Sequence, residues 1–307
     1  MIQDIITTIL DVIVPLSLPV IAGILLRKYR QIEIGSLLTL VLYYLTPVLI
    51  FDTLMKAKIT YENVYLSLAY SLLNLALLWG VAVGVGRLFN MPSRDVAGLT
   101  LVSSFTNNVN YGIPLVLLAF GQFGLDQASV YIILQIIIMN TFGIYFAARS
   151  HFNFKNAVKS VFSLPAIYAT ILAVLFRGLH IPLPGGLDTG ISMIADAYSP
   201  IVLAILGMQM VRVGMRRNGE KTEAAFWTGM AIRMFAAPLL SLFSLVILGI
   251  DGVLFSALFV LSCMPVAVNA GILAEKFNAS PKLVTKCILW TTVLSFIYLP
   301  LIIVFVT

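Results

Sequence analysis

Apolar stretches of about 20 residues, separated by short charged punctuation, recur along the whole chain, and that repetition limits the fold more than any motif does. A helix needs about 20 predominantly apolar residues to cross roughly 30 Å of hydrocarbon. Of the 307 residues, 60% are hydrophobic and only 10% charged, where a soluble domain carries about 25% charged. The expected fold class is an all-α integral membrane protein, and the spacing of the stretches leaves no room for a soluble domain.

The apolar windows predict ten transmembrane helices, at residues 8–26, 35–51, 65–86, 96–120, 129–148, 161–176, 191–211, 225–249, 254–274 and 284–306. The opening "MIQDIITTILDVIVP" has no basic leader and carries Asp4 and Asp11, so it does not resemble a cleaved secretory signal. The first stretch therefore counts as a span. Alternate loops carry Arg27, Lys28, Arg30; Arg87, Arg94; Arg149, Lys155, Lys159; Arg212, Arg216, Arg217, Lys221; and Lys276, Lys282. The loops on the other side carry only Lys56, Lys58 and Arg177. Cytoplasmic loops collect lysine and arginine, so an even number of spans puts both termini on the non-cytoplasmic side. The net charge of +6 is thereby explained by loop bias, without nucleic acid as a partner.

The two halves resemble each other. "LTPVLI" at 45–50 matches "YSPIVL" at 198–203, with Thr46, Pro47 against Ser199, Pro200. Leu18, Pro19 recur as Leu164, Pro165, and "VNYGI" at 109–113 matches "VNAGI" at 268–272 with Ser103 and Ser262 in register. The common order of these matches predicts two five-helix repeats, 1–160 and 161–307. Five is odd, so the second repeat begins on the opposite side and lies inverted.

The fourth span holds Thr106, Asn107, Asn108, Asn110, Gly112 and Pro114 near its middle, and the ninth holds Pro265, Asn269 and Gly271. Proline removes a donor and glycine tolerates an unwound backbone, so both spans are expected to be broken. Irregular backbone at membrane depth survives only inside protein or beside a wet cavity. Half-helix amino ends attract anions, and asparagine adds neutral donors without a buried lysine's desolvation. That set suits a carboxylate, but it equally suits a polar neutral ligand, and amide carbonyls also coordinate sodium. The same residues serve elsewhere as packing glue between helices.

Among the ionisable groups, Asp196 lies in the outer half of the seventh span, four residues before Pro200; it either carries a coupling proton or sits at the interface. Arg233 is expected to snorkel back to the cytoplasmic surface, and Asp11, Glu275 and Lys286 to sit at interfaces. Pro15, Pro19, Pro165 and Pro238 are expected to be kinks. Cys263 and Cys287 are expected as small core residues, and there is no Cys/His spacing for a metal. No HExxH, GxSxG, phosphate loop or acid pair supports a hydrolase or an ATP-driven pump, so no enzyme chemistry and no cofactor are expected beyond a coupling proton or sodium ion.

The motifs "LTPVLIF", "TNNVNYGIPLV", "YSPIVLAILGMQM" and "MPVAVNAGILAEKF" together resemble the auxin efflux carrier family, within the wider bile acid/sodium symporter-like superfamily. The resemblance covers nearly the whole chain. It implies that the broken fourth and ninth helices cross, with a site over Thr106–Pro114, Tyr111 included, and over Pro265, Val266, Asn269, Ala270 and Gly271. It further implies a scaffold of helices 1, 2, 6 and 7 that dimerises and brings Thr46, Pro47, Ser199 and Pro200 to the site. The other six helices would form a transport domain moving like an elevator. The ninth span has Val266 and Ala267 where the fourth has Asn107 and Asn108, so the site is expected to be asymmetric. The implied activity is transport of small organic anions, with carboxylates the expected substrates, across the cell membrane; a sodium-coupled anion symporter and a non-transporting receptor or scaffold are the rival readings.

Overall fold

A computed structural model describes residues 2–30, 32–57, 60–148, 162–214 and 223–307. Helices account for nearly all of it. In chain order they are α1 (2–30), α2 (Ile34–Lys56), α3 (Tyr61–Leu88), α4 (Ser93–Ser104), α5 (Asn108–Ala148), α6 (Pro165–Gly178), α7 (Gly185–Asp196), α8 (Tyr198–Gly214), α9 (Glu223–Ile247), α10 (Gly252–Ser262), α11 (Val268–Phe277) and α12 (Pro281–Val306). Seven stretches among the described residues are long and apolar enough to cross a bilayer: Ile6–Arg30, α2, α3, α5, Gly185–Val211, α9 and α12. Leu18, Trp227, Phe235, Leu239 and Ile297 stand exposed on these helices, a surface that suits lipid tails and not water. The chain is a multi-pass membrane protein.

Proline shapes the helices at short range. Wide i→i+5 turns at Ile9–Ile13, Val41–Leu45, Asn108–Gly112 and Ile232–Ala236 each end two residues before a proline, namely Pro15, Pro47, Pro114 and Pro238. The pyrrolidine ring clashes with the carbonyl one turn back and offers no N–H, and widening the turn by one residue relieves both. Pro19 sits inside continuous helix. Pro165 does not kink a span; it lies in the first turn of α6, where its missing donor has no helical partner to lose.

One expected boundary differs. The connection expected between residues 120 and 129 is not a loop, because helix resumes directly after Gly121. That residue has φ 65° and ψ −169°, a conformation essentially confined to glycine, so one residue breaks a 41-residue stretch about twice as long as a bilayer core requires. Gln122 Nε2 donates to Asp126 Oδ1 at 2.9 Å and supports the first turn of the resumed helix. The fourth and ninth expected spans are each interrupted, at 105–107 and 263–267. The loops bearing Lys58, Arg149, Lys155, Lys159, Arg216, Arg217 and Lys221, the side chain of Arg212, and the expected repeat boundary at 160/161 lie outside the described residues.

α8 lies along α1 at very short range. A Cβ at Gly23 would lie 1.8 Å from the Ala204 carbonyl oxygen, and one at Gly207 would lie 2.0 Å from that of Val20. Small residues of this kind let helix backbones touch, which in lipid is a main source of association. α6 and α7 pack on α2, with Phe51 and Phe176 edge to face at 5.9 Å. The largest buried cluster joins Leu45 and Leu49 of α2 and Leu203 of α8 to Ile113 of α5 and Leu258 of α10. A second joins α4, α9, α11 and α12 through Leu101, Phe226, Ala274 and Leu283. Cys263 and Cys287 are free and buried.

Candidate functional site

The two breaks meet. Asn107 N–H donates to the Pro265 carbonyl at 2.8 Å and Ala267 N–H to that of Phe105 at 3.0 Å, which frames the antiparallel bridge of Thr106 with Val266. Backbone groups released by one broken helix are thus paired with those released by the other, as membrane depth demands. The Val266 N–H, which points away from the bridge, donates to Thr291 Oγ1 of α12 at 3.1 Å. Asn107 O accepts from Tyr111 N–H at 3.3 Å and Gly112 N–H at 2.9 Å.

Four helix ends therefore converge: the carboxyl ends of α4 and α10 and the amino ends of α5 and α11. At the amino ends, the N–H groups of Val109, Asn110, Val268 and Asn269 find no backbone acceptor among the described residues. Such ends carry roughly half a positive charge each. At the carboxyl ends, Arg233 of α9 is 2% exposed. Its Nη1 donates to the Ser103 carbonyl at 2.9 Å and its Nη2 to the Ser262 carbonyl. The expectation that Arg233 snorkels is wrong, because the two carbonyl ends offer the guanidinium better partners than a long reach to the surface.

The predicted site residues separate by accessibility. Asn107 and Asn108 are buried; among the described residues Asn107 Nδ2 finds no partner, and the Asn108 amide lies near the Tyr131 hydroxyl without a well-formed hydrogen bond. Asn110 is half-buried and Asn269 is exposed. Tyr111, Gly112, Pro114, Pro265, Val266 and Ala270 are buried structural parts of the crossing, whereas Thr106 and Gly271 keep partial exposure. The asymmetry expected from Val266 and Ala267 is present: both are buried apolar counterparts of Asn107 and Asn108.

On the α2 and α8 side, Thr46 is buried and lies against the hydroxyl of Tyr198, which donates to the Val109 carbonyl at 3.3 Å. Pro47 and Ser199 are half-buried, and Pro200 is exposed. Asp196 ends α7 exposed, with no ion pair to any described residue. A cleft lies between α2, α8, α11 and α12, lined by Leu38, Gln209, Val268, Gly271, Glu275 and Thr292. Behind the crossing a small polar cavity is lined by Ser71, Asn74, Ser104, Thr106, Gln135 and Arg233.

Gln209, Asn74, Gln135 and Tyr198 were not singled out from the sequence. The signal was available for the three amides, since Asn74 and Gln209 are each the lone amide of an apolar span and Gln135 lies between apolar runs with only Asn140 beside it. Nothing in local sequence marks Tyr198, whose importance comes from a partner 89 residues away. Among the described residues no group of three or more His, Cys, Asp or Glu side chains is placed to hold a metal.

Comparison with known proteins gives the family. The family model described as "Membrane transport protein" matches residues 4–160 and 151–303. An uncharacterized transporter from Methanothermobacter thermautotrophicus is 25% identical over 295 residues, covering 96% of each chain. An uncharacterized transporter from Methanocaldococcus jannaschii is 24% identical over 290 residues, covering 92% of this chain and 91% of the relative. With paired helix breaks at its centre and the family model spanning nearly its full length, the chain belongs to the membrane transport protein family, the auxin efflux carrier family that its motifs resemble.

Proposed function

We propose that this protein is a secondary carrier for small organic anions, chiefly carboxylates, working by alternating access in the cytoplasmic membrane. The observation that carries the reading is the pair of amino-terminal half-helix ends at the crossing, with Asn110 and Asn269 accessible beside unpaired N–H groups. A carboxylate there meets oriented donors and two partial positive charges without displacing any acidic side chain. The cleft between α8 and α11 reaches Val268 and Gly271 of the second half-helix.

In this proposal the chain crosses the bilayer ten times as two inverted five-helix repeats, with α4 and the first part of α5 as the fourth crossing and α10 with α11 as the ninth. Both termini face away from the cytoplasm. A scaffold of α1, α2, α6, α7 and α8 holds Thr46, Pro47, Ser199 and Pro200 against a transport domain made of the remaining helices, which moves as an elevator. Support for that division comes from the close α1–α8 contact and the packing of α6 and α7 on α2. The scaffold also forms the contact of a homodimer.

A ligand that binds only the folded state raises its melting temperature. Purified protein screened against a carboxylate library is expected to be stabilised by at least one short-chain acid, and liposomes containing the protein are expected to accumulate it. No shift with any acid, beside a shift with a neutral or cationic solute, would reject the anion reading.

A further inference from the structure

We infer that Arg233 is a tethered counter-ion that takes the place of a coupling cation at the crossing, so that the carrier runs without sodium. The inference rests on the carrier reading of the same site and concerns its coupling.

The carboxyl ends of α4 and α10 converge behind the paired breaks, and each such end carries roughly half a negative charge. In transporters built on broken helices, half-helix carboxyl ends and unwound carbonyls are the groups that coordinate a sodium ion or proton. Here the guanidinium bridges those two ends. Its Nη1 bonds the Ser103 carbonyl and its Nη2 the Ser262 carbonyl, positions that correspond to each other in the two halves of the sequence. One positive charge thus faces two half charges, and a planar fork of donors holds two carbonyls at once as an ammonium does not.

No described Asp or Glu forms an ion pair with Arg233, although the side chain is 2% exposed. Its Nε, together with Ser71 Oγ, Asn74 Oδ1 and Ser104 Oγ, is left without a protein partner around the polar cavity. These oxygens are of the kind that bind sodium, but a fixed cation on the same cavity wall repels a second one. With the carboxyl ends neutralised from behind, the amino ends of α5 and α11 present their positive charge to the front unopposed, which favours an anion there.

The test needs no substrate, so its failure is separable from failure of the carboxylate reading. The parent protein is melted in sodium chloride and in choline chloride at equal ionic strength, and Arg233→Ala and Arg233→Gln are melted with and without millimolar guanidinium, far below denaturing concentrations. The parent is expected to melt at the same temperature in both salts. Both variants are expected to melt lower, and guanidinium is expected to recover most of the loss in Arg233→Ala while tetramethylammonium, which cannot fork, does not. A saturable rise of the parent's melting temperature with sodium overturns the inference. So does an Arg233→Gln protein that melts like the parent, or an Arg233→Ala protein indifferent to guanidinium. If neither variant can be purified folded, the sodium titration of the parent decides alone: a flat response supports the inference and a saturable rise rejects it.

Discussion

Thr291→Val isolates one hydrogen bond at the centre of the protein. Thr291 is fully buried; its hydroxyl donates to the Cys287 carbonyl at 2.6 Å and accepts from Val266 N–H at 3.1 Å. Valine has nearly the same shape, so packing is kept and only the hydroxyl is lost. The Cys287 carbonyl retains its place in α12, but the Val266 N–H is left without a partner in a dry interior. An orphaned donor of this kind costs about 1–3 kcal/mol. Unfolding entropy grows with length, so a 307-residue chain shifts somewhat less than the about 2–4 °C per kcal/mol of a 150–250-residue chain, and the melting temperature should fall by a few degrees. Thr292→Val is the matched control, because Thr292 Oγ1 only donates back to the Ile288 carbonyl at 2.7 Å, a bond whose loss is near neutral. Differential scanning fluorimetry in detergent compares the two. Equal shifts for both variants would refute the claim that Thr291 serves the break, and would reduce its role to ordinary packing within α12.

Asn110→Asp should abolish anion-induced stabilisation while leaving the melting temperature of the free protein nearly unchanged, since the side chain is half-exposed and the new charge repels the ligand; a ligand titration followed by melting checks it. Asn110→Ala should weaken the same ligand about 10- to 100-fold, the equivalent of one hydrogen bond to a charged group, read by the same titration. Gly207→Val should destabilise by about 1–3 kcal/mol or more through overpacking, because its Cβ would fall 2.0 Å from the Val20 carbonyl oxygen; thermal melting reads this directly. Gly121→Ala should cost about 1–3 kcal/mol from backbone strain alone, since nothing lies within 4 Å of the added Cβ, and Gly121→Val should melt no higher than Gly121→Ala.

Much of the site was legible because membrane depth makes local composition decisive. Asn107, Asn108, Asn110, Gly112 and Pro114 in one apolar span require a break, and Pro265 with Gly271 require another. The register of Ser103 with Ser262 marked the helix turns whose carbonyls both meet Arg233. What one span cannot carry is the identity of its partner. Arg233 was misjudged for that reason: a single arginine near a helix end has two physically reasonable destinations, the lipid interface or a buried acceptor, and only the convergence of α4 and α10 selects the second.

By itself, then, the sequence determined what depends on short-range chemistry. It set which stretches are apolar enough to leave water, where proline widens a turn, and where glycine and asparagine permit the helix to open. The tertiary structure alone decided which open backbone pairs with which, that Thr106 faces Val266 and Val266 faces Thr291, and which asparagines remain accessible. The physical reason is the absence of water in the bilayer core. A broken helix must find its missing hydrogen bonds within the protein, and in this chain the partners of the first break lie some 160 residues away.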